Sequence, residues 1–593
     1  MNTQTDQVTT IPQQALRDRL TAYTKGACFA LDNMDFQDGT EKTKLQQSLR
    51  TALSDALTSP NHTTIPTKQY YETVAHFIEH LAELSQKHLN TKDIRLGEAY
   101  FAWQHHKRED IVSTVTIDSI TTQMTETVVV PKMSEQTKAV FRAIRHEDPP
   151  TWFSQLRPWE QHFLKKITPQ DLSDEADWSA FEKVLPATLR RFPGLANATK
   201  KTTVITNTAT EQTSTQTSYR QGIPTAYDMP PSDYLESAQY NLQQMLEATQ
   251  NDMQQKFQEF WGLPSDTNIS TPVVFLGLLT HRKDANIFGI GGSYLGMGGK
   301  EDNTKRTDEK TQAIAAVEEN YRGLQLIDLN IGVNWFRGHF LGARIEPYIN
   351  TIESFLLTNK DQLVTRNQEK WELAASTLQD LKEHNKKPII RGRNKNLFTA
   401  ALCHHMANQI GGCAIPNCKS AKDRTAHELI MADAIEIYHQ LYQALPQYDD
   451  NPQNRQRFVD VFVAIYRTRH HHKVANDNSP GSMGIKDEYM LDDDIVAALN
   501  ADPNDARHTE SKQLSKLNKS ELSALNNVFE AVMYTGMVLG YPLVELWKGI
   551  CFVASKVYDF TTQKTGSDVY SPIQGEIDAH DDTERPRSGS FSK

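Results

Sequence analysis

The sequence predicts an α/β protein: a strand–loop–helix catalytic core, an accessory α/β region before it and a helical part after it. Three observations carry this. Short apolar runs, "TPVVFLGLLT" (271–280) and "GLQLIDLNIGVNWF" (323–336), have the length and composition of buried strands. The run "GGCAIPNC" leads through six residues into "TAHELIMADAIEIYHQLYQAL", where Ile430, Ala434, Ile437, Leu441 and Leu445 recur at helical spacing. Two Thr-rich runs, "STVTIDSITTQMTETVVV" and "KKTTVITNTATEQTSTQTSY", alternate β-branched with polar residues, as strands do.

Taken in order, residues 1–14 are expected to be disordered and 15–96 helical, as in "YYETVAHFIEHLAELSQKHL". Residues 97–264 form the accessory region, in which the two Thr-rich runs flank a helical stretch containing "TWFSQLRPWEQHFLKKI". The core occupies 265–490. Within it "NLFTAALCHHMANQI" is a helix whose apolar face is Phe398, Leu402, Met406 and Ile410. Helices continue over 491–560, and the polar, aperiodic end, 561–593, reads as a disordered tail. There are no internal repeats.

Composition narrows the function. The chain has 593 residues, 38% apolar and 23% charged, with a net charge of −11. That is an ordinary globular balance, long enough for two to four domains. Nucleic-acid binding would call for a basic excess, so any anion site must be a local patch on an acidic body. Five cysteines, an odd number, make no disulfide framework and fit a reducing compartment. The opening "MNTQTDQVTTIPQQALRDRL" has no apolar segment, so no cleavable secretory signal is expected there. The most apolar stretch, Ala531–Val544, has 14 residues, against the roughly 20 a bilayer span needs, and no transmembrane segment is expected.

The chemistry concentrates in "CKSAKDRT", Cys418–Thr425. Placed between a strand end and a helix N-terminus, its backbone N–H groups and the helix dipole make an anion cradle. A cysteine there has its thiolate stabilised. Arg424 closes the cradle with a planar fork suited to two phosphate oxygens. Lys419, Lys422 and Arg424 would repel one another without an anion between them. The chemistry expected is attack by sulfur on phosphorus, then hydrolysis of the phosphocysteine. The alternatives are a small buried hydrophobe at Cys418 and a metal site from Cys403, His404, His405, Cys413 and Cys418. The second lacks a C-x2-C pair, and its spacing does not suit structural zinc. No metal or other cofactor is expected.

"CKSAKDRT" resembles the C-x5-R loop, C-K-S-[GA]-K-D-R-T, of bacterial effector phosphoinositide phosphatases of the Legionella SidF and SidP type. More distantly it resembles the Salmonella SopB type and the myotubularins, which share the D-R-T-A ending. The match covers eight residues; "NIGVN" (330–334) and "SPGSMGIKD" (479–487) are similar to segments around such sites. The resemblance implies a protein-tyrosine-phosphatase-like core with Cys418 as nucleophile and Arg424 on the phosphoryl oxygens. Lys419 and Lys422 would pair with neighbouring ring phosphates, with Ser420 and Ala421 in the substrate-binding loop. Asp423 is either the general acid or a brace on the loop. Thr425 or Ser420 would orient water or brace the thiolate.

The expected function is a phosphoinositide phosphatase, with the ring 3-phosphate favoured. A 4-phosphatase or a soluble inositol-polyphosphate phosphatase is the alternative, and a catalytically silent phosphoinositide-binding module is the alternative of another class. The partners are phosphoinositide headgroups, with peripheral contact to an anionic host membrane after secretion into the host cytosol. "KKPIIRGRNK" (386–395) places Arg391 and Arg393 as headgroup contacts, or else as a solvated turn. Lys486 is a further substrate contact, and the histidines His470–His472 are expected at the surface or the substrate lip. The glycine-rich "FGIGGSYLGMGGK" (288–300) fits neither a P-loop NTPase nor a Rossmann fingerprint and is expected to be a mobile loop near the site.

Overall fold

The structure is a computed structural model. It describes residues 10–32, 39–57, 63–66, 69–70, 72–74, 76–77, 80, 110–129, 135–145, 198–222, 234–279, 301–333, 345–418, 421–478, 485 and 490–501. The chain divides into two compact units, and all described residues belong to the first. The expectations for residues 1–9, "TWFSQLRPWEQHFLKKI", the glycine-rich 288–300, Ala531–Val544 and the tail lie outside the described residues, as do nearly all of 479–487.

Two small strands, β1 (Thr10–Pro12) and β2 (Thr64–Pro66), pair antiparallel beside α1 (Gln13–Asp32) and α2 (Gly39–Ala56). Leu16, Leu20, Tyr23, Leu49 and Ile65 form the apolar cluster of this part. The main body is a seven-stranded mixed sheet in the order β3-β4-β5-β6-β9-β7-β8. Its first four strands, β3 (Ile111–Ile117), β4 (Ile120–Val129), β5 (Ala198–Asn207) and β6 (Gln212–Gly222), form an antiparallel meander. Each Thr-rich run folds back on itself as one hairpin. The turns fall at Asp118 and Glu211, which take positive φ (50° and 55°), a conformation that a short polar residue such as Asp118 tolerates well.

The remaining strands are parallel: β7 (Thr271–Gly277), β8 (Leu324–Asn330) and β9 (Cys413–Cys418). The meander joins them through β6, which pairs parallel to β9 at Gln221↔Asn417 and Gly222↔Cys418. The sheet therefore runs without a break across the expected boundary at residue 264.

Parallel strands are covered on both faces, and their side chains alternate between them. Val273 and Phe275 of β7 and Cys413 and Ile415 of β9 join one apolar cluster. It includes Leu242 and Met245 of α4 (Tyr234–Trp261) and Ile314 of α5 (Glu301–Glu318); the short α3 (Glu135–Arg145) precedes these. Val274, Leu276 and Ala414 join the larger cluster on the opposite face. That cluster draws on α6 (Glu346–Thr358), α7 (Lys360–Arg366), α8 (Gln368–Lys386), α9 (Lys395–Gln409), α10 (Asp423–Tyr442) and α11 (Pro452–Arg467). The short α12 (His470–Asn478) and α13 (Asp493–Asn500) complete it.

Two helix expectations are corrected. α9 has no single apolar stripe: all but one of its residues are buried, Asn396, His404 and His405 among them, because the helix lies inside the layer. α10 starts at Asp423 and ends at Tyr442, three residues before Leu445, because Gln443 turns left-handed (φ 50°) and its N–H closes on the His439 carbonyl at 2.8 Å.

Three buried histidines are held neutral. His384 sits between the rings of Phe398 and Tyr448, and burial drops its pKa to about 3, helped by Lys395 and Lys387. Burial likewise takes His471 to about 3 and His472 well below its usual value. Groups with depressed folded pKa values contribute stability above their unfolded pKa, near 6.5, and lose it as pH falls toward the folded value. Stability should therefore fall from below about pH 6.5, with a slope approaching about 4 kcal/mol per pH unit near pH 5 if all three take up protons on unfolding. Denaturant titrations at pH 7, 6 and 5 measure this, and equal stability at pH 7 and 5 would show these histidines charged in the folded state.

Candidate active site

β9 lies inside the sheet, parallel to both neighbours, and Cys418 is its last residue, 4% exposed. The chain turns at once: the Ala421 N–H reaches back to the Cys418 carbonyl at 3.5 Å, and Ala421 takes a left-handed φ of 50°. α10 begins two residues later. Its N-cap residue, Lys422, makes no side-chain cap hydrogen bond, and the first turn of α10 points its N–H groups toward the end of β9, as an anion site requires. Thr425, in that first turn, is fully buried, and its hydroxyl has no hydrogen-bond partner. Arg424 is half-buried beside it. The loop is thus bracketed by a thiol on the strand and a guanidinium on the helix.

What holds the loop comes from far away in sequence. Arg220, near the end of β6 and fully buried, donates to the Ala421 carbonyl at 3.1 Å. The same guanidinium bonds Glu126 of β4 at 2.8 Å and meets His471 Nδ1 at 2.7 Å. His471 Nε2 lies 3.2 Å from Asp433 on α10, and Asp433 is also paired with the buried Lys201 of β5. The Arg220 guanidinium, with His470 and His471, holds the Glu126 carboxyl well below the usual carboxylate range despite its burial. Lys201 and His471 hold Asp433 at about 2. Ion pairs and hydrogen bonds therefore run from the meander under the loop to α10, through the neutral His471.

A second buried set lines the strand ends on the face away from Cys418. Gln221, Asn417, Gly277 and Asn330 stand in one register row across β6, β9, β7 and β8. A Cβ on Gly277 would lie 2.5 Å from Asn330 Oδ1 and 2.8 Å from Lys310 Nζ, so a side chain there would push both groups from their places. Lys310 is paired with Asp328 at 2.6 Å. The Leu278 N–H bonds the Asn417 carbonyl at 2.9 Å, fixing the last peptide before Cys418.

Of the residues expected at the site, Cys418, Ala421, Lys422, Asp423, Arg424 and Thr425 stand together. Lys422 is ion-paired with Asp423. Lys419, Ser420, Lys486 and Asn334 lie outside the described residues. Asn330 ends β8, two strands from β9. Arg391 and Arg393 precede α9 at this same end of the sheet, because Asn394 and Asn396 bond the carbonyls of Val333 and Gly332 beyond β8 (3.2 and 2.8 Å). Arg391 is exposed, while Arg393 donates to the Tyr448 carbonyl and lies 4.0 Å from Asp494. Lys387 and Lys395 are likewise engaged, Lys387 with Asp449 and Lys395 with the Lys387 carbonyl. The three histidines are corrected: His470, His471 and His472 are all buried, on Glu126, Arg220 and the Tyr466 ring, because α12 packs into the core. Arg220, Glu126, Lys201 and Asp433 escaped the sequence reading. The local signal of the first three is charge at inward-facing positions of otherwise alternating strands, and that of Asp433 is a carboxylate on the buried side of α10.

No protein-family model matches this sequence, and no curated protein matches it. Among solved structures, a Legionella phosphoinositide phosphatase shares the fold at a TM-score of 0.50 and 16% identity, over 87% of this chain and 78% of that one. Two others are also similar. A Legionella phosphoinositide phosphatase solved for its substrate recognition has a TM-score of 0.43 and 10% identity, over 86% and 92%. The Legionella phosphoinositide phosphatase SidF has 0.42 and 9%, over 85% and 91%.

Removing one partner of a buried ion pair leaves the other uncompensated. Arg220→Gln should therefore destabilise the fold by about 3–5 kcal/mol, read from denaturant midpoints. Adding Glu126→Gln should recover part of that loss; strict additivity of the two would show that the pair is not coupled.

Proposed function

We propose that the chain is a phosphoinositide phosphatase working through a phosphocysteine at Cys418, on a protein-tyrosine-phosphatase-like strand–loop–helix core. The observation that carries the reading is the placement of Cys418. It is a buried thiol at the end of an interior parallel strand, five residues before the start of a helix that carries Arg424 in its first turn. The loop sequence and the fold likeness to a Legionella phosphoinositide phosphatase support it.

In the proposed step the Cys418 thiolate attacks the ring phosphorus in line. The S–P bond forms as the P–O bond to the inositol breaks, and the leaving oxygen takes the proton of Asp423. Loop N–H groups and the Arg424 fork hold the equatorial oxygens as charge builds on them. Water, oriented by Thr425 or deprotonated by the Asp423 carboxylate, then displaces the thiolate and releases inorganic phosphate. Lys419 and Lys422 read phosphates beside the scissile one, with the 3-phosphate as preferred target and Arg391 and Lys486 as outer headgroup contacts. The setting is the cytosolic face of host membranes after secretion, with peripheral binding. No helix among the described residues is long and apolar enough to cross a membrane.

Cys418→Ser should reduce phosphate release from short-chain phosphoinositides to background while leaving the fold intact, since a hydroxyl is a far weaker nucleophile near neutral pH. Turnover within tenfold of the parent, in a folded preparation, removes Cys418 from the mechanism. Product identification across a panel of ring isomers in the same assay decides between the 3- and 4-phosphate.

Lys422→Met separates ring reading from general chemistry. A charge-assisted contact is worth roughly 1.5–3 kcal/mol, or about ten- to a hundredfold. The loss in kcat/KM should be that much larger for a bisphosphorylated inositide than for para-nitrophenyl phosphate. Equal losses would instead make Lys422 the partner that sets the protonation of Asp423.

A further inference from the structure

The lower half of α10 carries a second cluster that the loop chemistry does not use. Glu436 and His439 stand three residues apart on one face of α10, and His405 faces them from α9. One ligand atom from each lies within 4.8 Å of the others. His405 Nδ1 pairs with Glu436 Oε2 at 2.7 Å. The other ring nitrogen of His405 and Nδ1 of His439 have no hydrogen-bond partner among the described residues. His405 and Glu436 are 1% and 3% exposed. A buried carboxylate and two imidazoles gathered this closely, each ring with a nitrogen to spare, form an arrangement that a shared cation completes.

We propose that His405, Glu436 and His439 bind one divalent metal ion of the borderline-soft class, zinc first among them. Two imidazoles and a carboxylate are a donor set zinc accepts at about 2.0–2.2 Å, leaving a fourth position for water. His439 is the partly exposed member and puts that position on the solvent side. The outer shell is in place: Glu436 Oε1 accepts from Gln440 Nε2 at 3.2 Å, and Asn408 holds Gln216, which also bonds Glu436. Asp380 of α8 is close enough to feel His405 and adds negative charge.

A similar group, Glu126 with His470 and His471, shows the contrast. There the Arg220 guanidinium already bonds both Glu126 and His471, and no cation is called for. The proposed ion is remote from the thiol: Glu436 follows Asp423 by thirteen residues, about 20 Å of helix. Its work is to clamp α9 to α10.

The test uses the full chain, stripped with a chelator and titrated with zinc or cobalt. The parent should take up one equivalent of zinc, show the visible absorption of four-coordinate cobalt and unfold at a higher temperature with zinc than without. His439→Gln, at the partly exposed position, and Glu436→Gln should each weaken uptake by about a hundredfold or more and remove the cobalt spectrum. A parent that takes up no zinc at a tenfold excess overturns the proposal. So does uptake undiminished in both variants, which would place the metal elsewhere on the chain. If Glu436→Gln fails to fold, His439→Gln and the parent's cobalt spectrum still decide.

Discussion

The site depends on one buried guanidinium. Arg220 is the point where a sheet strand, the loop and a helix from the far side of the core meet, through Glu126, the Ala421 carbonyl and His471. The loop needs such an anchor. Ala421 is an alanine in left-handed conformation, which costs roughly 1 kcal/mol or more relative to glycine. A carbonyl pinned by a fully buried, always-charged fork holds the peptide in place without using the donors on its other side. Burying that charge is tolerable because Glu126 and Asp433 neutralise the cations around it, which is why their carboxyls remain ionised inside the core.

The mixed sheet explains why the anchor is available. In an all-parallel sheet the strand beside β9 would arrive from a crossover helix and be apolar on both faces. Here β6 belongs to an antiparallel meander whose alternation leaves polar positions at regular intervals. Its last turn of pairing places Arg220 and Gln221 beside the end of β9. The two faces of the strand ends then divide the work. Arg220 supports the loop, while Asn417, Asn330 and Lys310 around the gap left by Gly277 fix the other face, so Cys418 leaves the sheet at a defined height.

The strand–loop–helix unit around Cys418 was legible because it is contiguous: strand, cysteine, cations and helix follow one another within about thirty residues. The Thr-rich strands were legible from alternation, but their membership of the main sheet was not, since nothing local in "TQTSYRQG" says which strand will lie next to it. Arg220 and Ala421 are 201 residues apart, and Lys201 and Asp433 are 232 apart. α9 misled because a helix buried all round has no polar face to set its period against. "KKPIIRGRNK" read as headgroup contacts or a solvated turn because composition does not reveal that Lys387, Arg393 and Lys395 bend back onto carbonyls and carboxylates of their own fold. The consecutive histidines misled for the same reason, since α12 packs all three inward.

Charge sets the range over which the site can act. The chain carries −11, so at distances beyond the Debye length, about 8 Å at physiological salt, its field opposes approach to an anionic surface. Among the described residues near the loop the cations are Lys422, Arg424 and the exposed Arg391, and Lys422 already shares its charge with Asp423. Any attraction these exert on an anion is therefore of contact range, felt once the anion has reached the strand ends. A site working as proposed would select by geometry at close quarters more than by long-range capture. Its selectivity then depends on how rigidly Ala421 and the first turn of α10 are held, which returns the problem to the buried charges beneath them.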